Sequence, residues 1–124
     1  LNKINKKMIT YKWIISSMDC VIKETVEGQE LQNVVNMLHW RRAASEGTEG
    51  EENYYYADVY GAMPLTSPNP NDFVLYENLT EADVEVWLNE MKEPSPSEID
   101  EQLAANIELQ KNPIEETLPL PWTT

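Results

Sequence analysis

Leu79-Thr80-Glu81-Ala82-Asp83-Val84-Glu85-Val86-Trp87-Leu88-Asn89-Glu90-Met91 is where the chain changes period. Thr80 and Asp83 have the spacing of a helix N-cap and its N3 partner, with Asp in the place of the usual Glu of a capping box. Val84, Trp87, Leu88 and Met91 then recur at i, i+3, i+4 and i+7, a single apolar stripe. Pro94 stops that helix. Ser95-Pro96-Ser97-Glu98 opens a second one, with Ser at the cap, Pro at the first helical position and Glu at the third. Ile99, Leu103 and Ile107 mark its buried face as far as Asn112-Pro113. Helices are therefore predicted over 80–92 and 96–111, each with acids in its first turn, where the helix dipole favours them.

Upstream of residue 78 the period is two. Tyr11, Trp13 and Ile15 alternate with Lys12 and Ile14, which predicts a strand over Tyr11–Val21 that either continues or turns at Ser16–Asp19. Glu27-Gly28-Gln29-Glu30 is a turn signal. Asn33–Ala44 reads as a second strand with Val35, Met37 and His39 on one side and Val34, Leu38 and Trp40 on the other. Two partly apolar faces predict a central strand. Ser45–Asn53 carries no bulky apolar residue and is a loop, and Tyr54–Met63 returns with Tyr54, Tyr56, Asp58 and Tyr60 on one face. Three prolines keep Pro64–Asp72 irregular, and Phe73–Tyr76 is a short fourth strand or an extended lead-in. The expectation is an α+β fold: a small antiparallel sheet of three to four strands, then two helices packed on one face, then an extended Pro/Trp tail. Residues 9–113 form the single domain, with the sheet in 9–77. Residues 1–8 read as a disordered extension and 114–124 as a tail, whose Trp122 is expected to fold back over the sheet.

Charge narrows the function classes. The net charge is −13, yet Lys92 and Lys111 are the only cations after residue 42. Such a surface repels phosphates and anionic lipid, so direct binding to nucleic acid is disfavoured. One cysteine, Cys20, excludes an internal disulfide and a cysteine-rich zinc site, and one histidine, His39, excludes a multi-histidine metal site. No apolar run approaches the length of a membrane-spanning helix, and no secretory h-region follows the basic start. Four scattered glycines make no phosphate loop. A Cys20–His39 dyad requires an electropositive niche that neither neighbourhood offers. Asn69-Pro70-Asn71-Asp72 lacks the spacing of a calcium loop, and the numerous carboxylates sit at helix starts. No catalytic, metal or cofactor residue is assigned.

What remains is one basic cluster beside aromatic residues. Trp40-Arg41-Arg42 on the central strand and Tyr54-Tyr55-Tyr56 on its neighbour have the composition of an interaction hot spot. The same residues equally suit cross-strand pairing that stabilises the sheet. Trp122 is a further candidate for a partner contact.

Taken in order, Tyr11-Lys12-Trp13-Ile14-Ile15, Val34-Val35, His39-Trp40-Arg41, Tyr60-Gly61, Phe73-Val74 with Tyr76, Leu79-Thr80-Glu81 with Val84 and Trp87, Leu103–Pro113 and Pro121-Trp122 form a pattern. It resembles a family of small uncharacterised proteins of tailed bacteriophages, common in marine and cyanobacterial phages. The resemblance implies a viral origin and a role as a minor virion or assembly component, and the lack of any active-site set of residues makes that role a non-enzymatic one. Its partners would be other phage structural proteins, with a homo-oligomer possible, in the virion or in the cytoplasm of the infected cell. The alternative is an acidic phage factor that binds or inhibits a host nucleic-acid-binding protein.

Overall fold

The computed structural model describes residues 8–122; the extension expected at the start of the chain thus lies almost wholly outside the described residues. Three antiparallel strands, β1 (Thr10–Val26), β2 (Gln29–Glu46) and β3 (Tyr55–Pro64), form a sheet in the order β1-β2-β3. Two helices follow, α1 (Glu81–Asn89) and α2 (Pro96–Lys111). This is the expected α+β arrangement, with β2 in the centre.

The β1–β2 hairpin is longer than its apolar alternation suggests. Its turn is the two-residue Glu27-Gly28, both with positive φ (53° and 83°), the backbone that matches strand twist in tight hairpins. The chain does not turn at Ser16–Asp19. Ser16 is an extra residue on β1 between the pairs Ile15–Trp40 and Ser17–His39, and Asn36 is an extra residue on β2 between Asp19–Met37 and Cys20–Val35. The two bulges compensate, so the ladder re-enters its original register and runs on to the turn. The carbonyl of Asn36 also accepts a bond from Leu65 N at 3.0 Å, which fixes the segment leaving β3 against the centre of the hairpin.

Phe73–Tyr76 is the extended lead-in and not a strand. Short 3-10 turns at Pro70–Asp72 and Tyr76–Asn78 bracket it, and the nearby prolines lack the donors a ladder needs.

Both predicted capping boxes are present. Thr80 Oγ1 accepts from Asp83 N while Asp83 Oδ2 accepts from Thr80 N, and Ser95 with Glu98 repeats the pattern. Helix α1 ends at Asn89, three residues before the expected limit, so Met91 reaches the core from the connection. The core lies between the sheet and the helices and contains Trp13, Leu38, Trp40, Ala44, Val84, Leu88, Ile99, Leu103 and Ile107. Trp87, expected in the packed stripe, lies against this core but is only half-buried. Trp13 and Trp40 meet edge to face with centroids 5.6 Å apart. The indole of Trp40 extends over Gly61, where an added Cβ would lie 2.5 Å from the ring. The tail does not return to the sheet: Leu118 and Trp122 are exposed, Trp122 at 76%. The expected plug is corrected accordingly. With Lys111 already seated on Glu46, α2 ends at the rim of the sheet, and the chain leaves it there.

Candidate functional site

Strand alternation divides the Trp40-Arg41-Arg42 run between two faces. Trp40 is 4% exposed in the core, so it is no part of any surface. Arg42 points the same way, opposite Trp13 in the ladder. Its guanidinium sits 4.5 Å over the Trp13 ring and 5.7 Å over Tyr11, and it makes a two-pronged bond to Asp100 of α2 at 3.0 and 3.2 Å. Arg42 thus clamps helix to sheet, a structural role. Beside it, burial and the Asp100 carboxylate raise the pKa of Tyr11, against the lowering pull of Arg42. Tyr55 also lies on the helix side, opposite the buried Glu46, which binds Lys111 at 3.0 Å.

The other half of the cluster faces outward. Neither helix covers this side of the sheet. Arg41 bonds Asp58 across the strands at 3.1 Å, and its guanidinium lies 5.5 Å over the ring of Tyr60, which is 76% exposed. The same carboxylate accepts the hydroxyl of Tyr56 at 3.0 Å. Partial burial and that bond to Asp58 hold the Tyr56 phenol above its ordinary pKa. Tyr54 stacks on Tyr56 with centroids 6.5 Å apart and an interplanar angle of 24°. Between these rings, Lys12 and Ile14 of β1 and the loop at Gly47–Glu49 lies an open groove of about 820 Å³. Arg41, Tyr54, Tyr56 and Tyr60 therefore make one cross-strand surface, pre-ordered by Asp58. Such a surface offers flat apolar area together with a planar cation, the chemistry of protein contacts.

A Cys20–His39 dyad does not form. Cys20 pairs with Val35, whereas His39 pairs with Ser17 and Ala62, and the Asn36 bulge lies between the two pairs. Burial, with the Asp19 charge, pushes the Cys20 thiol pKa up, which disfavours a nucleophilic thiolate. His39 Nε2 instead meets Asp19 Oδ2 at 2.9 Å on the exposed surface. Among the described residues no group of three His, Cys, Asp or Glu could hold a metal ion. None of the described helices is long and apolar enough to cross a membrane.

The family model described as "Domain of unknown function (DUF7936)" matches residues 8–122. The chain belongs to this family. No curated protein and no solved structure matches it. The stretch shared with the DUF7936 family takes in the whole sheet, both helices and the tail as far as Trp122, so the outward Arg–Tyr surface lies within it.

A second concavity, of about 450 Å³, lies on the other end of the molecule. Val34 and Val35 of β2 face Phe73, Val86 and Trp87 across it. Its lining comes from four separated segments, at 33–35, 65–68, 72–74 and 79–87, which only the fold brings together. Tyr60 and Asp58, by contrast, were placed beside Tyr54 and Tyr56 by simple alternation along β3.

Proposed function

We propose that this chain is a non-enzymatic assembly protein that acts through the outward face of its sheet. The observation that carries this reading is the uncovered surface of Arg41, Tyr54, Tyr56 and Tyr60, in which Asp58 bonds Arg41 and Tyr56, Arg41 lies over Tyr60 and Tyr54 stacks on Tyr56. A preformed aromatic–arginine surface loses little conformational freedom on binding, which favours a specific protein contact. The resemblance to tailed-phage proteins supports a place among virion or assembly components, with other phage structural proteins as partners. The acidic-mimic reading has less support. Asp83 and Glu98 cap their own helices and Asp100 is bound to Arg42, so the helix acids are partly committed inside the fold. Exchange of Arg41→Gln together with Tyr60→Ala in the phage genome is the test. Mass spectrometry of purified particles should find the wild-type chain, and the double variant should be depleted while it still folds. Normal incorporation of the variant contradicts the proposal.

A further inference from the structure

We infer that the apolar cleft beside β2 takes an extended segment of another protein, which adds as a strand along residues 29–35 and sets an apolar side chain, flanked by Lys or Arg, into the cleft. The cleft shares no residue with the groove beside Tyr54 and Tyr56, so the proposal goes beyond the assembly surface and does not depend on it.

Three observations meet at this place. The first is an unpaired edge. Strand β3 pairs with β2 only as far as the Met37–Pro64 pair, and Leu65 adds one more backbone bond, to Asn36. Residues 66–68 then leave β2, and the cleft opens between the two. Over residues 29–35 the backbone of β2 bonds to β1 alone among the described residues, so its outer groups have no protein partner. The stretch holds no Lys and no Pro, the residues that most often blunt a strand edge. Main-chain bonds to such an edge are the basis of recognition by strand addition.

The second observation is shape. Val34 and Val35 are adjacent yet both line the cleft, which plain alternation does not allow. Asn33, with left-handed backbone (φ 52°), and the extra residue Asn36 lie on either side of them and break the alternation. Across the cleft stand Phe73 and, on α1, Val86 and Trp87. Val86 is 52% exposed, so the cleft is open on that side, which suits a passing chain better than a small molecule that needs enclosure.

The third is charge. Asp72 and Asp83 line the cleft, and no Lys or Arg does. The Asp72 side chain makes no bond among the described residues, and Asp83 uses only Oδ2, for its helix cap. A Lys or Arg held there meets two carboxylates and also the aromatic rings of Phe73 and Trp87. This pattern counts against the chain's own tail, in which Glu115 and Glu116 repeat the charge and Pro119 and Pro121 lack the donors of a ladder. It counts against a second copy, whose net charge is −13. The basic stretch at 3–7 precedes Thr10, which pairs with Ser45 at the other end of β2.

The test uses the full chain and a fluorescent, acetylated and amidated heptapeptide with Ile at its centre, Thr at its second and sixth positions and Lys elsewhere. Affinity is read by anisotropy and the bound surface by amide hydrogen exchange in nuclear magnetic resonance. The peptide should slow exchange of outward amides within residues 29–35 and leave those of β3 unchanged. A peptide with Glu for every Lys should bind at least tenfold more weakly. So should one N-methylated at alternate residues, which keeps its charge but loses main-chain donors. Val86→Lys should weaken binding at least tenfold, and Asp72→Lys at least threefold, with folding checked by circular dichroism. Val74→Lys, at a second exposed cleft residue (44%), stands in if Val86→Lys fails to fold. Absence of binding, or cleft variants that bind as the wild type does, overturns the proposal. Equal affinity for the N-methylated peptide also overturns it, since general attraction to an acidic chain would then explain the binding. Outward amides already protected in the chain alone overturn it as well: protection that grows with concentration means a second copy, and protection that does not means a segment of the same chain.

Discussion

Replacing Arg42 by Gln should destabilise this protein far more than replacing Arg41, although the two are adjacent and of one type. The Arg42 side chain is 13% exposed and its partner Asp100 27%. A hydrogen bond to a charged group contributes about 1.5–3 kcal/mol, and stacking of the cation on Trp13 about 0.5–2 kcal/mol. With some loss of this to solvent relaxation around Asp100, Arg42→Gln should cost about 2–4 kcal/mol. Arg41 and Asp58 are 38% and 30% exposed, so their pair belongs to the class worth about 0–1 kcal/mol. For a chain of 124 residues, about 1 kcal/mol corresponds to about 4 °C in Tm. Arg42→Gln should therefore lower Tm by about 8–16 °C and Arg41→Gln by less than about 4 °C, measured by circular dichroism at 222 nm on matched samples. Two single variants that melt within about 3 °C of each other would refute the division of the cluster between a clamp and a free surface.

Gly61→Ala should cost about 1–3 kcal/mol through overpacking, because the Trp40 ring it strikes is itself enclosed; Ala62→Ser, on the exposed side of the same strand, serves as the near-neutral control in the same melt. Ser95→Ala should remove about 1 kcal/mol by opening the capping box of α2, read from the denaturant midpoint. Stability should also fall in alkali. Cys20, Tyr11, Tyr56 and Lys111 all have raised pKa values in the fold, the last chiefly through its bond to Glu46. The unfolded chain therefore loses these protons first, and the stabilisation present below the unfolded values disappears as pH rises through the folded ones. Tm should be level near pH 8 and decline from about pH 9 upward, where cysteine, tyrosine and lysine ordinarily titrate. A Tm that rises over that interval contradicts the assigned shifts.

The helices were the most legible part of the chain because their boundaries are set locally. Thr80 with Asp83, and Ser95-Pro96 with Glu98, satisfy backbone donors within one turn, and both boxes formed as read. The strands were legible in type and order but not in length. The Ser16 and Asn36 bulges cancel only in the paired ladder, so neither strand alone shows that β1 continues past Asp19. Trp87 illustrates the limit of a helical stripe: periodicity placed it with Val84 and Leu88, but only the distance between helix and sheet decides which of the three is fully enclosed. The candidate surface was half legible. Alternation gathered Tyr56, Asp58 and Tyr60 along β3 and Tyr54 just before its start, one residue outside the strand expected from Tyr54, whereas treating Trp40, Arg41 and Arg42 as one patch overlooked the same alternation along β2. The tail was misjudged because a large apolar ring indicates burial against something without indicating which molecule supplies the partner.

The proposed function requires that the Arg41–Tyr60 face be the one that meets an assembly partner. Hydroxyl-radical footprinting of the chain, free and within purified particles, tests it most directly. Tyr56 and Tyr60 should lose most of their reactivity in the particle, while Tyr76, 38% exposed on the 3-10 turn at Tyr76–Asn78 and away from the sheet's outward face, keeps its own. Tyr60 reacting in the particle at the rate of the free protein would contradict the account.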